Sequence, residues 1–229
     1  MAELPDITKD PGNELVPSRS AIAGETPSAE ALSTSTDDGP PIYAQSDDGD
    51  TAIRQGEIIS NLIQVSVNLE ALTNGELKGD QITHPYAIVL TQDCDCIQDF
   101  RARRASGTRN DVPCILFGEL HAADWMRDKG NSMKIDSDSW KSVKQNKNER
   151  YQFLQLVPPE LDREGTGLPE LIVDFRRFFA LPTDEVYLRI SLGEAKRRCR
   201  LVSPYLEHFG SRFSFFCQRV ALPRDHESI

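Results

Sequence analysis

The sequence predicts an α+β domain dominated by antiparallel strands, a partly closed small barrel with helices on one side and a disordered acidic tail ahead of it. Three observations lead there. Short apolar runs of strand length recur after residue 50, separated by turn signals. One segment near the end, Ser203 to Val220, spaces its apolar residues as an amphipathic helix does. The first fifty residues hold eleven acids and two bases, a surplus of nine out of the net charge of -10, and leave 25 acids against 24 bases for the rest. Residues 1–50 are therefore a different material from residues 51–223, which form one barrel-like domain, and residues 224–229 are a short tail.

The tail is rich in Pro, Ser, Thr, Asp and Gly, as in Glu30-Ala-Leu-Ser-Thr-Ser-Thr-Asp-Asp-Gly-Pro-Pro41, and lacks sustained periodicity. Such a composition cannot bury enough apolar surface to offset the entropy of ordering. Ile42-Tyr43 is its one evident anchor. Its charge keeps the body soluble, or docks on a basic partner.

In the body, Ile63, Val65, Val67 and Leu69 alternate as on a half-buried strand. Turns follow at Thr73-Asn-Gly75 and Lys78-Gly-Asp80. Tyr86–Leu90, Pro113–Phe117, Tyr151–Val157, Leu171–Phe175 and Cys199–Val202 complete about six strands. Glu119–Lys129 reads as a helix with Leu120, Ala123 and Met126 on one face and Gly130 as its cap. A polar helix starts at Asp136 or Ser137 and runs to about Lys147. The last begins with Ser203 as N-cap and Pro204 at the first position, and presents Leu206, Phe209, Phe213, Phe216 and Val220 to the core.

No secretory signal and no membrane span is visible, and five cysteines is an odd number without secreted-framework spacing. A cytoplasmic location with reduced thiols and no membrane follows as the expectation.

Chemistry is expected where the apolar run Tyr86–Leu90 empties into Thr-Gln-Asp-Cys-Asp-Cys96. Three readings stay open. Cys94 is a nucleophile, with His84 or His121 as its base and Asp95 among its orienting acids, although nearby aspartates raise a thiol's pKa. Alternatively Cys94, Cys96, Cys114 and His84 hold zinc, although one residue between paired cysteines is a poor bite for it. In the third, preferred reading the thiols are packing residues, with no cofactor. The charged stretch from Gln98 to Asp111 reads as a long interaction loop carrying Phe100, Arg101, Arg103, Arg104 and Arg109, which the acidic tail covers. Further basic runs lie at Lys141–Lys147, Arg176-Arg177 and Lys196–Arg200.

Arg54-Gln-Gly-Glu-Ile-Ile59 followed by His84-Pro-Tyr-Ala-Ile-Val-Leu-Thr91 resembles the opening of the PemK/MazF-like toxin family. The resemblance covers residues 54–91 and implies an SH3-like barrel and, by association, a bacterial toxin-antitoxin or phage-defence setting. It also implies an endoribonuclease, but the loop Glu70–Thr83 carries no arginine, and His84 stands where the family has one. The Thr-Gln-Asp-Cys-Asp stretch is more similar to uncharacterised bacterial proteins. No complete catalytic set assembles from these motifs, so the expected function is a non-catalytic protein-binding or regulatory module. The alternatives are a divergent ribonuclease, or a cysteine-dependent hydrolase or zinc protein. A protein partner is expected ahead of nucleic acid, because a near-neutral body lacks the cationic field that phosphates require.

Overall fold

Antiparallel pairing between apolar segments distant in sequence builds the domain. The computed structural model describes residues 39–47, 49–106, 111–128 and 130–219. Seven strands form one antiparallel sheet: β1 (Tyr43–Gln45), β2 (Glu57–Val67), β3 (Gly79–Val89), β4 (Cys114–Ala122), β5 (Tyr151–Leu154), β6 (Leu171–Pro182) and β7 (Lys196–Leu201). Their spatial order is β1-β7-β2-β3-β4-β6-β5. Five helices accompany them: α1 (Leu69–Thr73), α2 (Asp93–Ser106), α3 (Ser137–Lys144), α4 (Thr183–Ser191) and α5 (Tyr205–Cys217).

In place of the expected partly closed SH3-like barrel the sheet is open, with β1 and β5 as its edges. The reason lies in burial on both faces. Ile58, Ile88, Leu120, Val173 and Phe175 belong to one core cluster, and their strand neighbours Ile59, Ala87, Val89 and Phe117 to another. A small barrel turns one face inward, whereas a sheet buried on both sides must leave room for a layer on each. On the first face Phe175 meets Phe209, Phe213 and Phe216 of α5 at ring distances of 5.7–6.0 Å. On the second, Val186 of α4 is buried, with Tyr187 and Ile190 against it. A third cluster joins Met126, Ile135, Val143, Phe153 and Ile172 beside the β5 edge.

The structure departs from the sequence reading at several elements. The ordered body starts before residue 51: Tyr43 pairs with Leu201, is buried, and donates from Oη to the Gln155 carbonyl at 2.8 Å. The tail up to residue 38, and residues 220–229, lie outside the described residues. Glu119–Lys129 is not a helix. Residues through Ala122 are strand, because β3 and β6 bond β4 from both sides, and only Trp125–Arg127 makes a 3-10 turn. Gly118 permits this closeness, since a Cβ there would stand 3.0 Å from Val173. α3 is capped by Asp136, which accepts from the Ser139 amide at 2.7 Å. α5 starts after Pro204 without a side-chain cap from Ser203.

Two buried ion pairs anchor β7. Arg197 bonds Glu57 of β2 through both oxygens, at 2.6 and 2.9 Å, and also the Thr51 and Ala52 carbonyls. Its neighbour Arg198 bonds Asp162 through two contacts of 2.7 Å. Asp162 in turn accepts from the amides of Glu164, Thr166 and Gly167, which shapes the loop before β6. Burial would raise the Asp162 carboxyl, but the Arg198 and amide hydrogen bonds outweigh it and leave it at about 2.

Among the described residues no helix is long and apolar enough to cross a membrane.

Arg198→Met leaves the Asp162 carboxylate buried without its guanidinium and is expected to cost roughly 3–5 kcal/mol in urea unfolding at neutral pH. A loss below about 1 kcal/mol, the range of an exposed pair, would contradict the role given to it. Because the folded carboxyl is depressed, its stabilisation is complete above the ordinary aspartate range and is lost as pH falls towards about 2. The variant should lack that part of the acid dependence.

Candidate functional site

The expected cysteine site lies on a helix, not on a loop. Asp93 opens α2, and Asp93 and Asp95 at its first turn with Arg103 and Arg104 at its last match the helix dipole. The segment read as an interaction loop, Gln98 onward, is helical through Ser106, and Arg109 lies outside the described residues. Its inner face runs Cys96, Asp99, Phe100 and Arg103, at steps of three, one and three. Two of these four are charged, so hydrophobic periodicity does not show it. Asp99 accepts from Arg103 and from the Val112 amide, while Arg103 also bonds Asp184. Arg104 reaches Asp50 at 3.1 Å and covers the Phe100 ring, which meets Tyr187 at 5.6 Å. These residues tie the helix to the body and to the segment before β2. Arg101 is exposed.

Arg54 grips Asp93 with bonds of 2.7 and 2.6 Å, and the Gln55 amide adds a third at 3.1 Å. Burial pushes the Asp93 carboxyl up, but Arg54 and the amide bring it below its ordinary value. Cys94 is exposed beside Gln92 and Asp95, with contacts of 3.8 and 3.7 Å from its Sγ. It opens on a cavity of about 1050 Å³ between α2 and α5 that, among the described residues, Cys217 also lines and no histidine does. Cys96 is buried, and burial, then Asp93, Asp95 and Asp99, push its thiol up to about 12. Cys114 is exposed at the start of β4, opposite Pro182. Among the described residues no group of three or more His, Cys, Asp or Glu side chains is arranged to hold a metal ion.

His84 goes elsewhere. It pairs with Leu62 across β2 and β3, stacks on Phe179 at 3.8 Å, and places Nε2 3.1 Å from Gln64 Oε1 and Nδ1 3.3 Å from Glu119 Oε1. Glu119 collects three bases. His121 Nε2 stands 3.4 Å from its Oε2, too poorly aligned for a hydrogen bond, and Arg177 Nε donates to the same oxygen at 2.5 Å. His121, then His84, with Arg177 behind them, hold the Glu119 carboxyl well below the usual carboxylate range against the opposing effect of burial. The alternation of β4 puts Glu119 and His121 on one face. The helical reading of that stretch concealed this.

Of the stripe Ile63, Val65, Val67, Leu69 only Ile63 is half-buried, and the other three are exposed. β2 bonds β7 only over Glu57–Ser60, and β3 bonds β4 only over Tyr86–Val89, so residues 62–67 and 79–84 have only each other as strand partners. They form a two-stranded ribbon beyond the sheet, tipped by α1. Val65, Val67, Leu69, Leu72, Leu77 and Ile82 are exposed on it, six of the twelve large apolar side chains exposed among the described residues.

No family model matches the chain, and no curated protein or solved structure matches it.

Alkylation of the native protein near neutral pH should label the exposed Cys94, Cys114 and Cys217 rapidly, and Cys96 and Cys199 only after unfolding, read by peptide mass. Labelling of Cys96 as fast as Cys94 would refute its burial. Glu119→Gln leaves three bases without their shared carboxylate and should cost roughly 1–3 kcal/mol at neutral pH. Since the folded carboxyl is depressed, that contribution exists above its ordinary value of 4.5 and fades on acidification, so parent and variant should converge in acid.

Proposed function

We propose that the chain is a non-catalytic protein-binding module and that the β2–β3 ribbon is its contact surface. The observation that carries this reading is the concentration of exposed apolar side chains on the ribbon. Leu77 and Leu69 at the tip are 84% and 73% exposed. Val65 and Val67 share one face of the ribbon, and Ile82, opposite Gln64, lies on the other. An isolated two-stranded ribbon is marginal in water, and apolar residues on both faces weaken it further unless something covers them. Covering each of the six yields roughly 1 kcal/mol or more before the cost of association. An arm apolar on both faces inserts into a cleft rather than lying on a flat surface.

The rim sets the partner's charge. Residues 63–83 carry Glu70, Glu76 and Asp80 against Lys78 alone, and Lys78 is paired with Glu76. The complementary surface is an apolar cleft edged by Lys or Arg. The resemblance of residues 54–91 to PemK/MazF-like toxins suggests a cytoplasmic partner in a bacterial toxin-antitoxin or phage-defence system. The ribbon takes over the role expected for the stretch after Gln98, whose arginines 103 and 104 bond carboxylates of the same chain.

Affinity purification of the full chain should retain a stoichiometric protein that the triple variant Leu69→Ser, Leu72→Ser, Leu77→Ser loses. These side chains are exposed, so unfolding stability should shift by no more than about 0.5 kcal/mol per site. Retention of the same protein by the folded triple variant would move the interface off the ribbon.

A further inference from the structure

A separate feature lies where β4 and β6 lose register. Gly118 pairs with Phe178, but Leu120 pairs with Val173, so Asp174 to Arg177 bulge out opposite Glu119. In a regular strand consecutive side chains point to opposite faces. Here the bulge lets the neighbours Arg176 and Arg177 line one cavity of about 400 Å³, together with Arg150, Lys134 and Ser132.

Among the described residues the single carboxylate lining that cavity is Asp174, which is fully buried. It is occupied from below: Arg150 grips both its oxygens, and the Arg176 amide donates to Oδ1 at 3.1 Å. Arg150 is held in turn over the Tyr151 ring, 4.5 Å from its centre. Arg177 spends Nε on Glu119, and Arg176 Nε stands 3.6 Å from Asp174. Their Nη groups and the Lys134 ammonium make no bond among the described residues, so the cavity presents cationic donors on a pre-positioned base. Four bases face one acid there, in a body whose overall charge is close to neutral.

We infer that this cavity binds the terminal phosphate of a small phosphomonoester, with Arg176, Arg177 and Lys134 as its donors. Guanidinium groups match phosphate oxygens in pairs, and a monoester offers nearly two charges and three acceptor oxygens to the convergent donors. A diester in a nucleic-acid backbone offers one charge per residue and requires a cationic track. The body's near-neutral balance does not favour one. The volume suits a nucleotide-sized molecule. None of the described ribbon residues lines this cavity.

Calorimetric titration of the full chain decides it, with inorganic phosphate, a nucleoside 5′-monophosphate and a short single-stranded RNA lacking terminal phosphates as separate probes. The expected result is binding of the first two, the monophosphate more tightly, weakened about tenfold or more by Arg176→Gln combined with Lys134→Gln. Lys141→Gln, which removes an exposed lysine of α3 outside the cavity, should leave it unchanged. Melting curves of the variants, whose altered side chains are exposed, establish that they are folded. No binding of either phosphate probe, undiminished binding by the folded double variant, or binding of the RNA alone would each overturn the assignment.

Discussion

Two consecutive arginines, each turned to a different side of β7 and each buried, constrain the rest of the structure. Desolvating a guanidinium costs several kcal/mol unless a carboxylate meets it in good geometry. Arg197 is answered by Glu57 on the adjacent strand, and Arg198 by Asp162 from the loop before β6. The first pair fixes β7 beside β2 and draws Thr51 and Ala52 inward. The second folds the loop about Asp162, where Gly167 at φ 73° brings its own backbone close to the Val157 carbonyl. With β7 held this way, β1 has a strand to pair with and Tyr43 has a place in the core.

Carboxylates of the same chain also meet several other arginines. Arg54, Arg103, Arg150, Arg197 and Arg198 each find a carboxylate of their own chain. What remains uncommitted is local. One such place is the apolar ribbon, which the body does not cover. Another is the bulge of β6, where arginines outnumber the acids that face them. A neutral total charge is thus compatible with small, strongly polarised sites.

The strands were legible where apolar runs are continuous, as in Tyr86–Leu90 and Leu171–Phe175, because burial on both faces leaves a continuous signature. α3 was legible through its cap, Asp136, and the apolar spacing of α5 through its phenylalanines. α2 was hidden because its inner face satisfies Asp99 and Arg103 by pairing rather than by hydrophobicity. α4 was hidden too, although the start signal Thr183-Asp-Glu185 was present to be read. β4 was mistaken beyond Phe117, since the spacing of Leu120, Ala123 and Met126 mimics a helix while all three sit in the core through a strand and a tight turn. Of the candidate site, the sequence singled out Cys94 and His84 but not their separation. Across antiparallel strands, His84 meets Glu119 and, through it, His121 and Arg177, partners 35, 37 and 93 residues away in the chain.

By itself the sequence determined the class of fold, the segregation of acidic charge into the first fifty residues, and a thiol placed shortly after a strand. These depend on composition and on local periodicity, which neighbours along the chain suffice to set. Only the tertiary structure decided that the sheet stays open, that the stripe on β2 is left bare, and which carboxylate each arginine meets. Those outcomes rest on register and burial between segments far apart in the chain. A one-residue difference in pairing turns a side chain from core to solvent, and local pattern does not encode it.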